Sequence, residues 1–293
     1  RKQTLIEGKL YCDFIWHDIR KNNAKKHPSG IFWFLIGLWQ KISLLNQEAR
    51  IPMDNLSHPI VLASGKVSAR SLIKLEAGAP CVIVGLPEGP GISSNYLDSI
   101  IREISCAIGC NGVVLDLPNH SLTGGIETDP NLDYPGCVAI VESALRDLSA
   151  SKLVIVGHSY GARLALDIMS SGKLNITHGV LMNLPSKWDA SRAFDERVTK
   201  LGLSDVRIST ETEFLNYWQK LLGLYFSPWK FDLSATRALT TISFWKNSQK
   251  MIDGMPTFRE AAARLLGNGE PMIPILCIEG ATDLRVCDDN LKI

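Results

Sequence analysis

The stretch GHSYG, at residues 157–161, sets a serine between two glycines. It follows the apolar run LVIV and leads into ARLALDIM, whose apolar spacing predicts a helix. At such a strand-to-helix turn a serine hydroxyl is pushed out of the sheet, and small neighbours tolerate the strained backbone. The N–H groups that begin the helix face the position where negative charge would develop. We therefore interpret Ser159 as the nucleophile of an acyl-transfer reaction.

The composition of the chain argues against several other kinds of chemistry. Its 293 residues carry a formal net charge of +1, which gives no electrostatic reason to expect a nucleic-acid partner. The seven cysteines are scattered, without a CxxC pair or a His/Cys cluster at metal-ligand spacing, so we expect neither a metal nor an organic cofactor. Unpaired cysteines favour reduced thiols and a cytoplasmic location. The first residue is arginine, from which we expect a processed product or a fragment.

Apolar runs that alternate with helical patterns surround the serine. The runs predict strands at 81–86, 112–118, 152–157, 178–185 and 274–280, and helical spacing covers 95–109, 137–150 and a segment from about Tyr160. Strands that are apolar on both faces and alternate with helices are typical of a parallel sheet between two helical layers. HPIVLASGKV and ARSLIKLEA, from residue 58, predict two short antiparallel strands. We predict an α/β fold with a mostly parallel sheet flanked by helices.

The strand pattern begins only at residue 58 and is interrupted once, which divides the chain into three parts. We predict an N-terminal extension at 1–57, a core at 58–185 and 269–293, and an inserted helical cap at 186–268. Tryptophans in the cap segment favour an apolar or aromatic substrate, or else a core of the cap's own. In the extension, IFWFLIGLW follows a basic cluster, and two interpretations of residues 31–45 stay open. They dock on a membrane surface or partner protein, or they pack on the chain's own domain.

From about residue 58 to the end, the chain resembles the α/β-hydrolase family. GHSYG matches the nucleophile elbow of that family, which implies Ser159 as the nucleophile and the N–H of Tyr160 as one oxyanion donor. His158 is the usual residue before the serine, and the resemblance implies that it packs beneath the elbow. It is not expected to act as the catalytic base.

Two further loops carry the resemblance. PEGPG, at 87–91, is partly similar to the His-Gly-Gly-Pro-Gly loop of proline iminopeptidase-like members, which implies Gly89 as the second oxyanion donor. Glu88 replaces a glycine of that loop. It either points to solvent or points inward, where its carboxylate would disfavour an anionic intermediate or recognise a cationic substrate group. DLPNHSLTGG, at 116–125, resembles the loop after the next strand, which implies that His120 shapes the substrate pocket.

The acid and the base of a serine hydrolase should follow in chain order after the serine. ILCIEGATD, at 275–283, is close to the family's strand-Gly-x-x-Asp, which implies Asp283 as the charge-relay carboxylate, with Asp189 as the alternative. No histidine occurs after His178. Three explanations stay open: a trimmed sequence, a scaffold that has lost catalysis, or a base in the extension (His17 or His27). The final strand of the family pattern is also missing, so we expect an open sheet edge.

Two functions of different classes follow from this sequence. The first is a serine hydrolase that cleaves an ester, thioester or amide through an acyl-enzyme on Ser159, with a small-molecule or peptide-like acyl substrate. The second is an inactive protein of the same fold that binds or assembles with a partner or membrane through its N-terminal apolar helix. Labelling of Ser159 by a fluorophosphonate would separate them.

Overall fold

The computed structural model describes residues 14–18, 58–60, 62, 67–72, 81–89, 94–118, 131–185, 192–204, 206, 210–225, 254–266 and 273–280. Within them lie the strands β1 (Phe14–Asp18), β2 (His58–Ile60), β3 (Ala69–Ser71), β4 (Val82–Leu86), β5 (Asn111–Leu115), β6 (Leu153–His158), β7 (Ile176–Met182) and β8 (Ile275–Gly280). A 3-10 turn at Ser94–Leu97 precedes the helices α1 (Asp98–Ile108), α2 (Tyr134–Asp147), α3 (Tyr160–Ser171), α4 (Arg192–Lys200), α5 (Glu211–Tyr225) and α6 (Phe258–Leu266).

The strands form one eight-stranded sheet in the order β1-β8-β7-β6-β4-β5-β3-β2. The central strands β5, β4, β6, β7 and β8 run parallel to one another. β2 and β3 form an antiparallel pair at one edge, and β3 is antiparallel to β5. The predicted α/β class and mostly parallel sheet are therefore confirmed, as is the antiparallel pair from residue 58.

The apolar runs in the sequence are explained by burial on both faces of the sheet. Along β4, Val84 packs into the core that includes residues of α2 and α3, whereas Ile83 packs into the core that includes Ile101 of α1. Successive residues of a strand point to opposite faces, so a strand covered on both sides needs apolar residues throughout. Burying each such side chain contributes roughly 1.5–3 kcal/mol.

The outer edge of β8 differs from the sequence-based expectation of an open edge. β1 pairs antiparallel with β8, and Phe14 lies opposite Gly280. An edge strand presents a row of N–H and C=O groups that a strand of either direction can satisfy, so a segment from the N-terminal region can occupy this place. The predicted extension at 1–57 thus contributes a strand to the sheet. Residues 31–45 lie outside the described part of the chain.

The described residues between 192 and 266 are largely helical, as the sequence predicts for the inserted segment. Leu203 and Leu221 form a small apolar cluster against which Trp218 packs. Leu265 of α6 instead joins the main core, and α6 contacts α3. This packing supports a structural role for Trp218, while the division into core and cap stays a prediction. No helix in the described residues is long and apolar enough to cross a membrane.

Candidate active site

Ser159 occupies a strained turn between β6 and α3. Its backbone angles are φ 51° and ψ −113°, a positive φ that non-glycine residues rarely adopt. Strain of this kind costs about 1–3 kcal/mol and is maintained only where the surroundings fix the backbone. One such constraint is the hydrogen bond that the Ser159 N–H donates to the carbonyl of Met182, at 2.9 Å. The residue is half-buried, so the predicted strand-to-helix turn leaves Ser159 accessible.

The two glycines of the motif allow α3 to begin in contact with the backbone of its neighbours. A Cβ atom on Gly157 would lie 2.7 Å from the Cα of Ala162, and one on Gly161 would lie 2.6 Å from the carbonyl carbon of Leu86. Both contacts are with backbone, which cannot rotate away as a side chain can. The sequence pattern Gly-x-Ser-x-Gly is therefore explained by close approach at this turn.

Tyr160 contributes its ring to the core and its amide to the start of α3. The ring is fully buried and packs edge-to-face against Tyr134, with centroids 5.9 Å apart. Burial raises the pKa of its hydroxyl well above the ordinary value. The side chain is thus a core element, and the backbone N–H of Tyr160, the predicted oxyanion donor, lies at the first position of the helix.

Gly89 follows the strand that lies beside β6. β4 pairs with β6 through Leu86 and Gly157, so the loop after Leu86 and the turn at Ser159 extend from the same edge of the sheet. Pro87 is buried, and Gly89 is half-buried. Within the described chain no acceptor pairs with the Gly89 N–H. The sheet therefore brings the two predicted oxyanion donors to neighbouring loops.

Glu88 points inward, which decides between the two orientations that the sequence left open. Its Oε2 atom lies 3.8 Å from Nδ1 of His158, and the side chain is 17% exposed. The Glu88 N–H donates a 2.6 Å hydrogen bond to the Tyr96 hydroxyl oxygen. The amide before Gly89 is thereby tied to the 3-10 turn, and the carboxylate is held beside the residue that precedes the nucleophile.

His158 packs against Tyr96. Its Nδ1 lies 2.9 Å from the Tyr96 hydroxyl, and the rings meet edge-on with centroids 5.5 Å apart. Burial, followed by the charge of Glu88, raises the pKa of Tyr96 well above its ordinary value, so this hydroxyl keeps its proton. In the described chain no hydrogen bond joins His158 to Ser159.

An ion-pair network fixes the end of β5 and was not anticipated from the sequence. Asp116 accepts hydrogen bonds from Ser68 at 2.7 Å, from Arg70 at 2.8 Å, and from Ser94. Arg70 also donates to Ser94 at 2.7 Å and to Asp98 at 2.8 Å. Burial disfavours the charge of Arg70, but the hydrogen bonds and charges of these carboxylates outweigh it and raise its pKa.

This network ties β3, the 3-10 turn and the beginning of the 116–125 loop together at the carboxyl end of the sheet, where sites of parallel sheets form. Two residues in the sequence could have indicated this network. An arginine in a short, half-apolar strand and an aspartate at the end of a buried strand each need a partner of opposite charge.

Several predicted site residues fall outside the described part of the chain: His120, Asp283, Asp189 and His27. Their proposed roles stay predictions. Among the described residues no group of three or more His, Cys, Asp or Glu side chains is arranged to hold a metal ion.

His17 is described, but the sheet does not bring it to the elbow. The ladder runs from His17 to Cys277, then to Leu181 and to Gly157. Three strand spacings of about 4.8 Å place the His17 backbone on the order of 14 Å from that of Gly157. The register therefore argues against His17 as the base.

A strained serine at a strand-to-helix turn of a parallel sheet, with small neighbours that allow the close backbone approach, defines a protein of the nucleophile-elbow class. Residues 93–281 match the sequence model of the alpha/beta hydrolase family, and the chain belongs to that family. No curated protein matches the chain significantly in sequence.

Solved structures share the fold at low sequence identity. The thioesterase domain from the curacin biosynthetic pathway aligns with a TM-score of 0.54 at 16% identity, over 80% of this chain and 86% of that one. AqDC, described for recognition and ring-cleavage of the Pseudomonas quinolone signal, aligns with a TM-score of 0.50 at 15% identity, over 74% and 78% of the two chains. At these identities the likeness shows the fold alone.

Proposed function

We propose that the protein is a serine hydrolase that cleaves an ester, thioester or amide through an acyl-enzyme on Ser159. The observation that carries the proposal is the backbone of Ser159, held at φ 51° between β6 and α3. Backbone strain of this kind is typically maintained at functional sites, and in this family the strained turn exposes the nucleophile. Membership of the family supports hydrolase activity.

The proposed reaction begins when the Ser159 oxygen attacks the substrate carbonyl carbon and a base takes the hydroxyl proton. The carbonyl oxygen becomes an oxyanion between the N–H groups of Tyr160 and Gly89. One such donor is worth about 2.7–4 kcal/mol of transition-state stabilisation. The leaving group departs with the proton from the base, and water then attacks the acyl carbon to release the acid and restore Ser159.

We propose Asp283 as the carboxylate that orients the histidine base and stabilises its charged form. We propose that the base is a histidine other than His158, because no hydrogen bond joins His158 to Ser159 in the described chain. His120 is proposed to shape the pocket, and the segment 186–268 to cover the crevice as a cap. A cap that carries tryptophans favours a small-molecule or peptide-like acyl substrate with an apolar part. Free thiols at the described cysteines favour the cytoplasm as the compartment.

The test is covalent labelling of the full chain with a fluorophosphonate probe. We expect the wild type and Ser151→Ala, a control serine on an exposed loop, to be labelled equally, and Ser159→Ala to remain unlabelled. Mass spectrometry should place the adduct on the peptide that contains Ser159. Equal labelling of Ser159→Ala, or no labelling of the wild type, would contradict the proposal and favour the binding protein as the alternative.

A further inference from the structure

The loop that supplies the proposed Gly89 donor carries a negative charge that its described surroundings do not neutralise. Glu88 is held inward, and the backbone before its side chain is fixed by the 2.6 Å hydrogen bond from its N–H to Tyr96. A cationic candidate beside it in the described chain is His158, whose Nδ1 lies 3.8 Å from Glu88 Oε2. That separation is beyond hydrogen-bond distance, so the charge state of His158 decides whether the carboxylate is compensated.

The hydrogen bonds of Tyr96 point to a neutral His158. The Tyr96 oxygen already accepts the Glu88 N–H, and its own proton needs an acceptor. His158 Nδ1, at 2.9 Å, is the acceptor that the described residues provide. A histidine that accepts at Nδ1 carries its single proton on Nε2 and is neutral.

The Glu88 carboxylate is positioned where its charge would affect catalysis. Glu88 directly precedes Gly89, a proposed oxyanion donor, and its partner His158 directly precedes the nucleophile Ser159. An uncompensated negative charge at this place repels a developing oxyanion and attracts a positive group on the substrate. The side chains of Glu88 and His158 are 17% and 22% exposed, so neither is sealed from solvent.

We infer that Glu88 makes this site select acyl substrates that carry a positively charged group, an amine or a quaternary ammonium, near the scissile carbonyl. This inference rests on the proposed function. The positive group pairs with the Glu88 carboxylate and cancels its repulsion of the oxyanion. A neutral substrate of the same shape lacks this compensation and reacts more slowly.

The test compares two esters of the same acyl group that have the same shape and differ in charge: a choline ester and the neutral 3,3-dimethylbutyl ester. We expect the wild type to favour the choline ester by about tenfold in kcat/KM, as one charge pair at partly shielded short range allows. Glu88→Gln should reduce this ratio to about one. Asp147→Asn, the same change of charge at the C-terminal end of α2, should leave the ratio unchanged. An equal ratio in wild type and Glu88→Gln would overturn the inference.

A binding measurement separates this inference from the proposed function. Calorimetry with Ser159→Ala measures the affinity for both esters without turnover, and Ser159→Ala/Glu88→Gln removes the carboxylate. Preference for the choline ester that Glu88→Gln abolishes supports the inference even if the wild type fails to react with the fluorophosphonate. Equal affinity of Ser159→Ala for the two esters overturns it, whatever the labelling shows.

Discussion

The start of α3 lies directly on the end of β4: a Cβ atom on Gly161 would be 2.6 Å from the carbonyl carbon of Leu86. The two proposed oxyanion donors, Tyr160 and Gly89, extend from these two segments. The position of one donor relative to the other therefore depends on this contact between backbones. The contact requires glycine at residue 161, because any side chain would separate the two segments.

Gly161→Ala should accordingly lower both stability and activity. The added methyl group forces α3 and β4 apart, and overpacking of this kind costs about 1–3 kcal/mol. Urea unfolding measures the loss, and ester hydrolysis measures the displacement of the donors. The control is Gly172→Ala at the end of α3, where φ is +65° and nothing lies within 4 Å of the added atom. That change costs about 1 kcal/mol of backbone strain and should leave kcat unchanged; equal loss of kcat in both variants would refute the explanation.

Arg70 and Asp116 should behave as one energetic unit. Asp116 is 2% exposed, and its carboxylate accepts hydrogen bonds from Arg70 at 2.8 Å. Removing Arg70 leaves the buried Asp116 without its cationic partner, at a cost of about 3–5 kcal/mol, whereas removing Asp116 leaves Arg70 paired with Asp98. We expect Arg70→Met to destabilise more than Asp116→Leu, and the double variant to be less destabilised than the sum by about 1–3 kcal/mol. Additive free energies of unfolding would show that the pair is not coupled.

The cysteines should differ in reactivity according to their burial. Burial, with a hydrogen bond from the Cys81 thiol to Cys110, raises the pKa of Cys81 to about 12, and burial raises that of Cys137 to about 12. Both thiols therefore stay protonated and unreactive at pH 8, whereas Cys106 is exposed. Iodoacetamide treatment of the folded protein followed by peptide mass spectrometry should modify Cys106 before Cys81 and Cys137. Alkylation of Cys137 at the rate of Cys106 would be inconsistent with the packing of α2.

The start of α6 should make stability depend on pH. Glu260 accepts a 2.7 Å hydrogen bond from the Thr257 N–H, while its own N–H donates to Thr257 Oγ1 at 3.2 Å. Hydrogen bonds from the backbone and hydroxyl of Thr257 hold the pKa of Glu260 below the ordinary 4.5. A lowered pKa stabilises the fold above the unfolded-state value, and this stabilisation is lost as the pH falls through the folded-state value.

Glu260→Gln should therefore be less stable than the wild type at pH 7, and the difference should shrink as the pH falls below about 4.5. Unfolding by urea at constant ionic strength, with Glu196→Gln on α4 as a control for net charge, measures it. A difference that is the same at pH 7 and pH 3 would mean that the carboxylate charge does not contribute.

Local patterns in the sequence were sufficient for the central sheet and for the elbow. Runs such as LVIV predict a strand buried on both faces because burial demands apolar residues at every position. GHSYG predicts the turn at Ser159 because close backbone approach demands its glycines. Both demands are local, so both can be recognised without knowledge of the rest of the fold.

Other features depend on partners that are distant along the chain. The inward orientation of Glu88 depends on Tyr96 and His158, and the placement of Arg70 depends on Asp116. The pairing of Phe14–Asp18 with β8 is the extreme case, because no local pattern encodes the partner or direction of an edge strand. These contacts form only once the chain is folded, which is why the sequence left the Glu88 orientation open and suggested an open edge.

The antiparallel pairing of β1 with β8 also has a consequence for biosynthesis. Phe14 and its partner Gly280 are separated by nearly the whole chain, so β1 leaves the ribosome long before β8 is made. At about 5–20 residues per second, this interval lasts roughly ten seconds or more. During it the N-terminal segment has no strand to join, and the nascent protein must keep it from associating with other chains. The pairing of β1 with β8 can form only after β8 is made, and a ribosome-bound chain halted before residue 275 should leave β1 accessible to chaperones.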